Sequence, residues 1–224
     1  MKPVIVMTQS NPYTNQQATI IHKPFIKIIP LQFDLTVLSS HYDWLIFSSK
    51  NAVKYFYPYL SQVAVDNIAV IGEKTADYCR SLNITVDFCP EDYSQEGFLE
   101  RFPLTKNDQI LLPSSGFARQ LLQQELNQRG ANVTKVDLYK PVSHTENISE
   151  VKQFIAQGEV DAVTFASSSA VKFYFQDPVP RSKVAYYVIG QQTYHTIKQY
   201  DVTAKIASKQ TLTALVQKVL ESRE

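Results

Sequence analysis

The stretch at residues 43–53, DWLIFSSKNAV, reads as a buried strand running into a serine-rich turn and then a helix. Residues 161–171, DAVTFASSSAV, repeat it 118 positions later. The repeat continues downstream at the same offset of 118, where IAVIGEKT (68–75) aligns with AYYVIGQQT (185–193) and pairs Gly72 with Gly190 and Thr75 with Thr193. Beyond these, NITV and DVTA each read as a third strand, and SQEGFL and TLTALV as the helix that follows, at an offset of 117. A weaker echo at an offset near 106 relates VIVMTQS through FIKIIPL to ILLPSSG through VTKVDLY. The chain therefore has the form A, B, A, B. Periodicity leaves open whether the first A block packs with its neighbouring B or with the last one.

Short β-branched runs alternate with helical periodicity throughout, the pattern of βαβ units and parallel sheet. Strands are expected near 4–8, 25–31, 44–48, 68–72, 84–88, 109–113, 133–139, 160–166, 184–190 and 202–206. The plainest helix follows QILLPSSG, with Phe117, Leu121, Leu122 and Leu126 on one apolar face, Glu125 and Arg129 four apart on the other, and Gly130 as the residue that ends it. Two polar, aperiodic stretches, FDLTVLSSH (33–41) and KPVSHTENIS (140–149), read as linkers, and with two repeats they suggest two similar lobes.

A chain of 224 residues is long enough to bury a core without disulfide or metal. Its two cysteines, Cys79 and Cys89, have no metal or redox spacing, and Met1 to Ser10 lacks the apolar core of a signal peptide, so a reducing cytoplasm is expected. No apolar run approaches a membrane span. With 22 basic and 21 acidic residues there is no basic field for nucleic acid. The six glycines form neither G-x-G-x-x-G nor a P-loop, which excludes dinucleotide and nucleotide-triphosphate loops. His22, His41, His144 and His195 are scattered, with no paired spacing for a metal and no nucleophilic signature around them. An enzyme built from this chain would work without a cofactor or a covalent intermediate.

In open parallel sheets ligands bind at the carboxyl ends of the strands, where the repeated motifs fall. Ser48, Ser49, Ser167, Ser168 and Ser169 would start helices, so their hydroxyls and the free N–H groups behind them suit a carboxylate or phosphate. For any single serine helix capping is the commoner explanation, by roughly two to one. Gly72 and Gly190 stand where a ligand could approach the backbone or where the chain simply turns tightly.

Taken in order, DWLIFSSKNAV, IAVIGEKTA, ILLPSSGFARQLLQQELNQRGANVTKVDLYKPV, VDAVTFASSSAV, YVIGQQT and TLTALVQKVL resemble the uroporphyrinogen-III synthase family over nearly the whole chain. The resemblance implies two similar parallel-sheet, flavodoxin-like α/β lobes joined by a two-stranded linker, with an interdomain cleft. On this chain that places residues 1–34 with 146–224 in one discontinuous lobe, 42–138 in the other, and hinge linkers at 35–41 and 139–145. It implies no cofactor and no metal, and a substrate, hydroxymethylbilane, that carries many carboxylates. The reaction is loss of water with ring closure and inversion of the last pyrrole through an azafulvene and a spiro intermediate. Tyr139 in VDLYKPV matches the family tyrosine that would donate to the departing hydroxyl. The implied substrate-binding set is Thr8, Ser48, Ser49, Lys50, Gly72, Lys74, Thr75, Ser114, Ser115, Arg119, Ser167, Ser168, Ser169, Gly190, Gln191, Gln192 and Thr193. Lys50 and Asn51 depart from the proline and basic residues of some members, and Gln9 stands where arginine is frequent. The resemblance further implies a cytoplasmic monomer that meets the preceding pathway enzyme only transiently and binds neither nucleic acid nor membrane. The alternative from another class is a non-enzymatic two-lobed protein that binds a small anion.

Overall fold

A computed structural model describes residues 2–180 and 182–222. In chain order its strands are β1 (Val4–Met7), β2 (Thr19–His22), β3 (Ile26–Pro30), β4 (His41–Phe47), β5 (Ala64–Val70), β6 (Gln109–Ser115), β7 (Asn132–Ser143), β8 (Ala162–Phe165), β9 (Ala185–Val188) and β10 (Ala204–Ile206). The α-helices are α1 (Lys50–Phe56), α2 (Glu73–Ser81), α3 (Gln95–Arg101), α4 (Leu121–Gln128), α5 (Thr145–Ala156), α6 (Ser168–Phe175), α7 (Gln191–Lys198) and α8 (Leu212–Glu221). Contacts divide the chain into two units, one made of the chain up to Lys27 and from Val142 onward, the other of Ile28–Pro141.

The first unit holds a sheet in the order β10-β9-β8-β1-β2, every pair of it parallel. Numbered within the unit, this is the doubly wound order 2-1-3-4-5, whose switch point lies between β1 and β8. The strands are apolar on both faces, as a sheet covered by helices on two sides requires. Along β1 the two-residue period sends Ile5 and Met7 into one cluster with Leu215, Val216 and Val219 of α8, and Val6 into the other with Val151 and Ile155 of α5.

The second unit repeats the plan, with the order β3-β7-β6-β4-β5 and parallel pairing of β7, β6, β4 and β5. Its switch point lies between β4 and β6. Leu45 and Phe47 face one core with Val53 and Phe56 of α1, and Ile46 faces the other with Phe98, Leu122 and Leu126. Each unit thus combines an A pair with the B block that is not its sequence neighbour downstream: β1 and β2 join β8, β9 and β10, while β6 and β7 join β4 and β5.

Several local expectations change. The second strand of the first A block is β2, a four-residue element, whereas the more continuously apolar FIKIIPL supplies β3, which lies beside β7 in the other sheet. ITVDF contributes a single bridge, Ala69↔Phe88, because the Asp87 side chain accepts from Ile68 N (2.8 Å) where a longer ladder would start. Phe117 is 71% exposed in the turn before α4 rather than on its buried face, since Ser115 turns the chain by accepting from the Phe117 and Ala118 N–H groups. Leu122 and Leu126 are buried as expected, Glu125 and Arg129 lie 3.8 Å apart, and Gly130 follows α4 with φ +98°, the left-handed value that suits glycine.

The aperiodic stretches are ordered elements. Residues Leu35–Ser39 form a 3-10 turn capped by Asp34, whose carboxylate accepts from Thr36 N (2.9 Å), and Leu38 is buried. Residues 140–149 are the end of β7 and the start of α5. The chain passes between units within β3, at Lys27–Ile28, and within β7, at Pro141–Val142. The second passage falls inside the polar stretch 140–149, whereas the first lies in an apolar strand ahead of 33–41, where local polarity gave no mark.

Candidate functional site

The second unit brings together the turns after β4, β5 and β6 and the end of β7. Ser49 caps α1 with extended backbone, its Oγ accepting from Ala52 N (3.2 Å). The same Oγ lies 2.8 Å from Tyr139 Oη. Tyr139 is only 6% exposed; its ring stacks on Tyr55 with centroids 5.2 Å apart, and its carbonyl accepts from Gly116 N (2.8 Å). Burial pushes the phenol above its usual pKa, partly opposed by the Ser49 hydrogen bond. Ser48 is half-buried beside this pair, Ser114 is buried and its Oγ donates to the Ser115 carbonyl (3.4 Å), and Ser115 is half-buried.

Gly72 caps α2, Thr75 is buried in its first turn and Lys74 points to solvent. Lys50 is exposed, its Nζ 5.7 Å from the centre of the Tyr78 ring. Arg119 does not start α4; it lies in the preceding turn, 64% exposed, and pairs with Glu96 at 3.0 Å. Its guanidinium is thus shared with a carboxylate of the protein, one that a backbone N–H and Arg119 hold below its ordinary pKa.

In the first unit the equivalent turns follow β1, β8 and β9. Ser167 caps α6, its Oγ accepting from Ala170 N (3.2 Å), the same contact that Ser49 makes in the other unit. Ser168 donates to the Gln192 carbonyl (3.3 Å), which ties the turn after β8 to the turn after β9, while Ser169 and Gln191 are exposed. Thr8 is buried and donates to the Thr164 carbonyl (2.8 Å), so its hydroxyl hydrogen is already used. A hollow of about 440 Å³ opens at this switch point between Thr8, Gln9, Ser10, Asn11 and Ser167. Thr193 is buried in α7 as Thr75 is in α2, and Gly190 caps that helix.

Both cap glycines are extended, with φ −144° at Gly72 and −174° at Gly190, so neither is required by a left-handed turn. A Cβ at Gly190 would meet the Gln210 side chain at 3.1 Å, whereas at Gly72 the nearest atom would be Tyr93 Cβ at 3.5 Å. Close packing accounts for the first glycine and leaves the second open to a ligand.

Sequence reasoning missed one cluster. His41 and Asp43 on β4 and Asp66 on β5 place a ligand atom each within 4.8 Å of one another, the one such group among the described residues that could hold a metal ion. His41 Nε2 lies 2.9 Å from Asp66, and Asp43 accepts from Gln109 N (2.7 Å), so the protein itself satisfies these groups. The cluster sits at the amino ends of the strands, the end opposite the serine turns. The signal that would have found it is His-x-Asp on a strand, which places both side chains on one face. No helix among the described residues is long and apolar enough to cross a membrane.

The sequence model of the family described as HEM4, uroporphyrinogen-III synthase HemD, matches residues 11–217. A porphyrin biosynthesis protein HemD from Ruminiclostridium josui is 25% identical over 90% of this chain, which spans 43% of that protein's length. A uroporphyrinogen-III synthase from Synechococcus elongatus is 27% identical over 75% of the chain and 70% of its own length. The crystal structure of uroporphyrinogen-III synthetase from Helicobacter pylori 26695 superposes over the whole of both chains with a TM-score of 0.69 at 20% identity, which shows a shared fold. A family match across almost the entire sequence, on a fold that puts the repeated serine turns at two switch points, means that this chain belongs to the uroporphyrinogen-III synthase family.

Proposed function

We propose that the chain is a uroporphyrinogen-III synthase that closes hydroxymethylbilane with loss of water and inversion of the last pyrrole ring. Left alone, the substrate closes without inversion, so the catalyst must hold one conformation more than it must supply strong acid or base. The turns described above are suited to that task. They present neutral hydroxyls and helix-start N–H groups to a polycarboxylate, and they contain no paired carboxylates that would repel it. The observation that carries the proposal is the Ser49–Tyr139 pair, two hydroxyls 2.8 Å apart at the carboxyl end of a parallel sheet. Such a pair can donate a hydrogen bond to the departing hydroxyl.

The same proposal takes the two units as lobes that each bind part of the substrate at their own serine turns, joined by the segments within β3 and β7. Its support is that each unit carries its own switch point with a capping serine, Ser49 or Ser167. On this reading Thr75, Thr193, Gly72 and the remaining serines meet side-chain carboxylates largely through backbone N–H groups. Arg119 contributes only where a substrate carboxylate displaces Glu96. The relatives are named for this pathway, and nothing observed favours a non-enzymatic anion binder. Action as a cytoplasmic monomer that receives substrate from the preceding enzyme belongs to the proposal as well.

The test supplies freshly generated hydroxymethylbilane and resolves the cyclised isomers. The inverted isomer, formed faster than spontaneous closure, is the expected result. Only the non-inverted isomer at the spontaneous rate would remove the proposal.

A further inference from the structure

The family resemblance assigns the donor role to Tyr139, yet Tyr139 is the more buried member of its pair: it is 6% exposed, whereas Ser49 is half-buried. Lone-pair accounting at Ser49 Oγ gives a different order. A serine oxygen has two lone pairs and one hydrogen. One lone pair takes the Ala52 N–H at 3.2 Å, the cap that starts α1. The remaining contact, 2.8 Å to Tyr139 Oη, can run in either direction.

If Ser49 donated, the phenol hydrogen would need another acceptor. Among the described residues Ser49 is the only hydrogen-bond partner of Tyr139 Oη, and a buried donor left unpaired is unfavourable. If Tyr139 donates, both lone pairs of Ser49 are filled by donors. Its one hydrogen is then left without a partner in the protein and polarised by two hydrogen bonds pointing into the same oxygen. The stacked Tyr55 ring, 5.2 Å away, restrains the Tyr139 ring beside Ser49.

We infer that Ser49, not Tyr139, touches the departing oxygen, and that Tyr139 is a positioning residue that acts through Ser49. The inference rests on the proposed synthase reading. The C–O bond of the hydroxymethyl group breaks with its electrons on oxygen, the Ser49 hydrogen goes to that oxygen, and water leaves. The pyrrole N–H proton released as the azafulvene forms goes to Ser49 Oγ and restores its hydroxyl, while Tyr139 keeps its hydrogen and holds Ser49 in line throughout.

The experiment compares kcat, KM and isomer ratio for Ser49→Ala, Ser49→Thr, Tyr139→Phe and the double variant Ser49→Ala/Tyr139→Phe, using the full chain and hydroxymethylbilane. Ser94→Ala is the control for a lost helix cap, because Ser94 Oγ accepts from Gly97 N (2.9 Å) at the start of α3, outside the site. Ser49→Ala is expected to lower kcat on the order of a hundredfold with little change in KM. Ser49→Thr, which keeps the hydroxyl and the cap, restores most of it. Tyr139→Phe lowers kcat only on the order of tenfold, because the Ser49 hydroxyl remains, and the double variant is no worse than Ser49→Ala. Ser94→Ala leaves kcat unchanged.

A larger loss from Tyr139→Phe than from Ser49→Ala overturns the inference, as do losses that multiply in the double variant, failure of threonine to rescue, or an equal kcat loss in Ser94→Ala. A wild-type chain that forms no inverted isomer overturns the synthase reading and the inference with it, and is distinguished because no variant is needed to see it.

Discussion

Replacing Ile5 by alanine should destabilise residues more than 150 positions away while sparing those a few dozen away. Ile5 is 0% exposed in the middle of β1, paired with Ile20 on one side and Ala162 on the other, and it packs in the cluster that contains Tyr187, Leu215 and Val219. Truncating a fully buried isoleucine costs about 2–5 kcal/mol, from lost transfer energy and the cavity left behind. At about 3 kcal/mol, with a factor of ten for each ~1.4 kcal/mol, the population of the opened first unit rises by about a hundredfold. Native-state hydrogen exchange read peptide by peptide reports this directly. Amides of β8 and β9 should lose protection by about that factor, while those of β4 and β6 keep theirs. Ile46→Ala, equally buried on β4, should give the mirror result. Loss of protection in β4 and β5 on Ile5→Ala, with β8 and β9 unmoved, would mean that the first A block packs with its sequence neighbour and would refute the pairing.

Two further expectations test local structure. Gly130→Ala should destabilise by about 1 kcal/mol because its φ of +98° is disfavoured for a residue with a Cβ, whereas Gly72→Ala, extended and meeting Tyr93 only at 3.5 Å, should stay within about 0.5 kcal/mol. Equal shifts in the urea midpoint would contradict this; with the Gly72→Ala midpoint unmoved, any activity it loses reports on ligand approach rather than folding. Burial raises the pKa of Tyr174 most strongly, and of Tyr186 and Tyr139, above the ordinary phenol value of 10.0. Above about pH 10 the unfolded chain loses these protons first and binds fewer than the folded chain, so the stability these phenols contribute falls as pH rises. Chemical denaturation at pH 8 and pH 11 checks the sign, and stability that rises over that interval through these groups would contradict the burial.

Much of the molecule was legible in the residues. The alternation that buries Leu45 and Phe47 on one face and Ile46 on the other, the serines that cap α1 and α6, and Gly130 after α4 all follow from local patterns, because side-chain period, cap hydrogen bonding and backbone freedom act within a few positions. The 118-residue repeat likewise announced two related α/β halves with matching turns. Local patterns misplaced Phe117 and Arg119, since nothing near them in sequence shows that Ser115 turns the chain before α4 begins.

Partner choice lay outside the local patterns, and only the family resemblance implied that 1–34 joins 146–224. An apolar strand announces that it must be covered but not by what, and both B blocks offered β1 an equally apolar neighbour. Chain connectivity discriminates weakly, because closure entropy grows only with the logarithm of loop length: Thr8 reaches Thr164 across 156 positions at an extra cost of about 1 kcal/mol relative to a neighbour a quarter as far away. The tertiary structure decides it, packing Ile5 and Met7 of β1 with Leu215, Val216 and Val219 of α8. The same folding sets Tyr139 against Ser49, 90 positions apart, and turns a capping serine into a member of the candidate site.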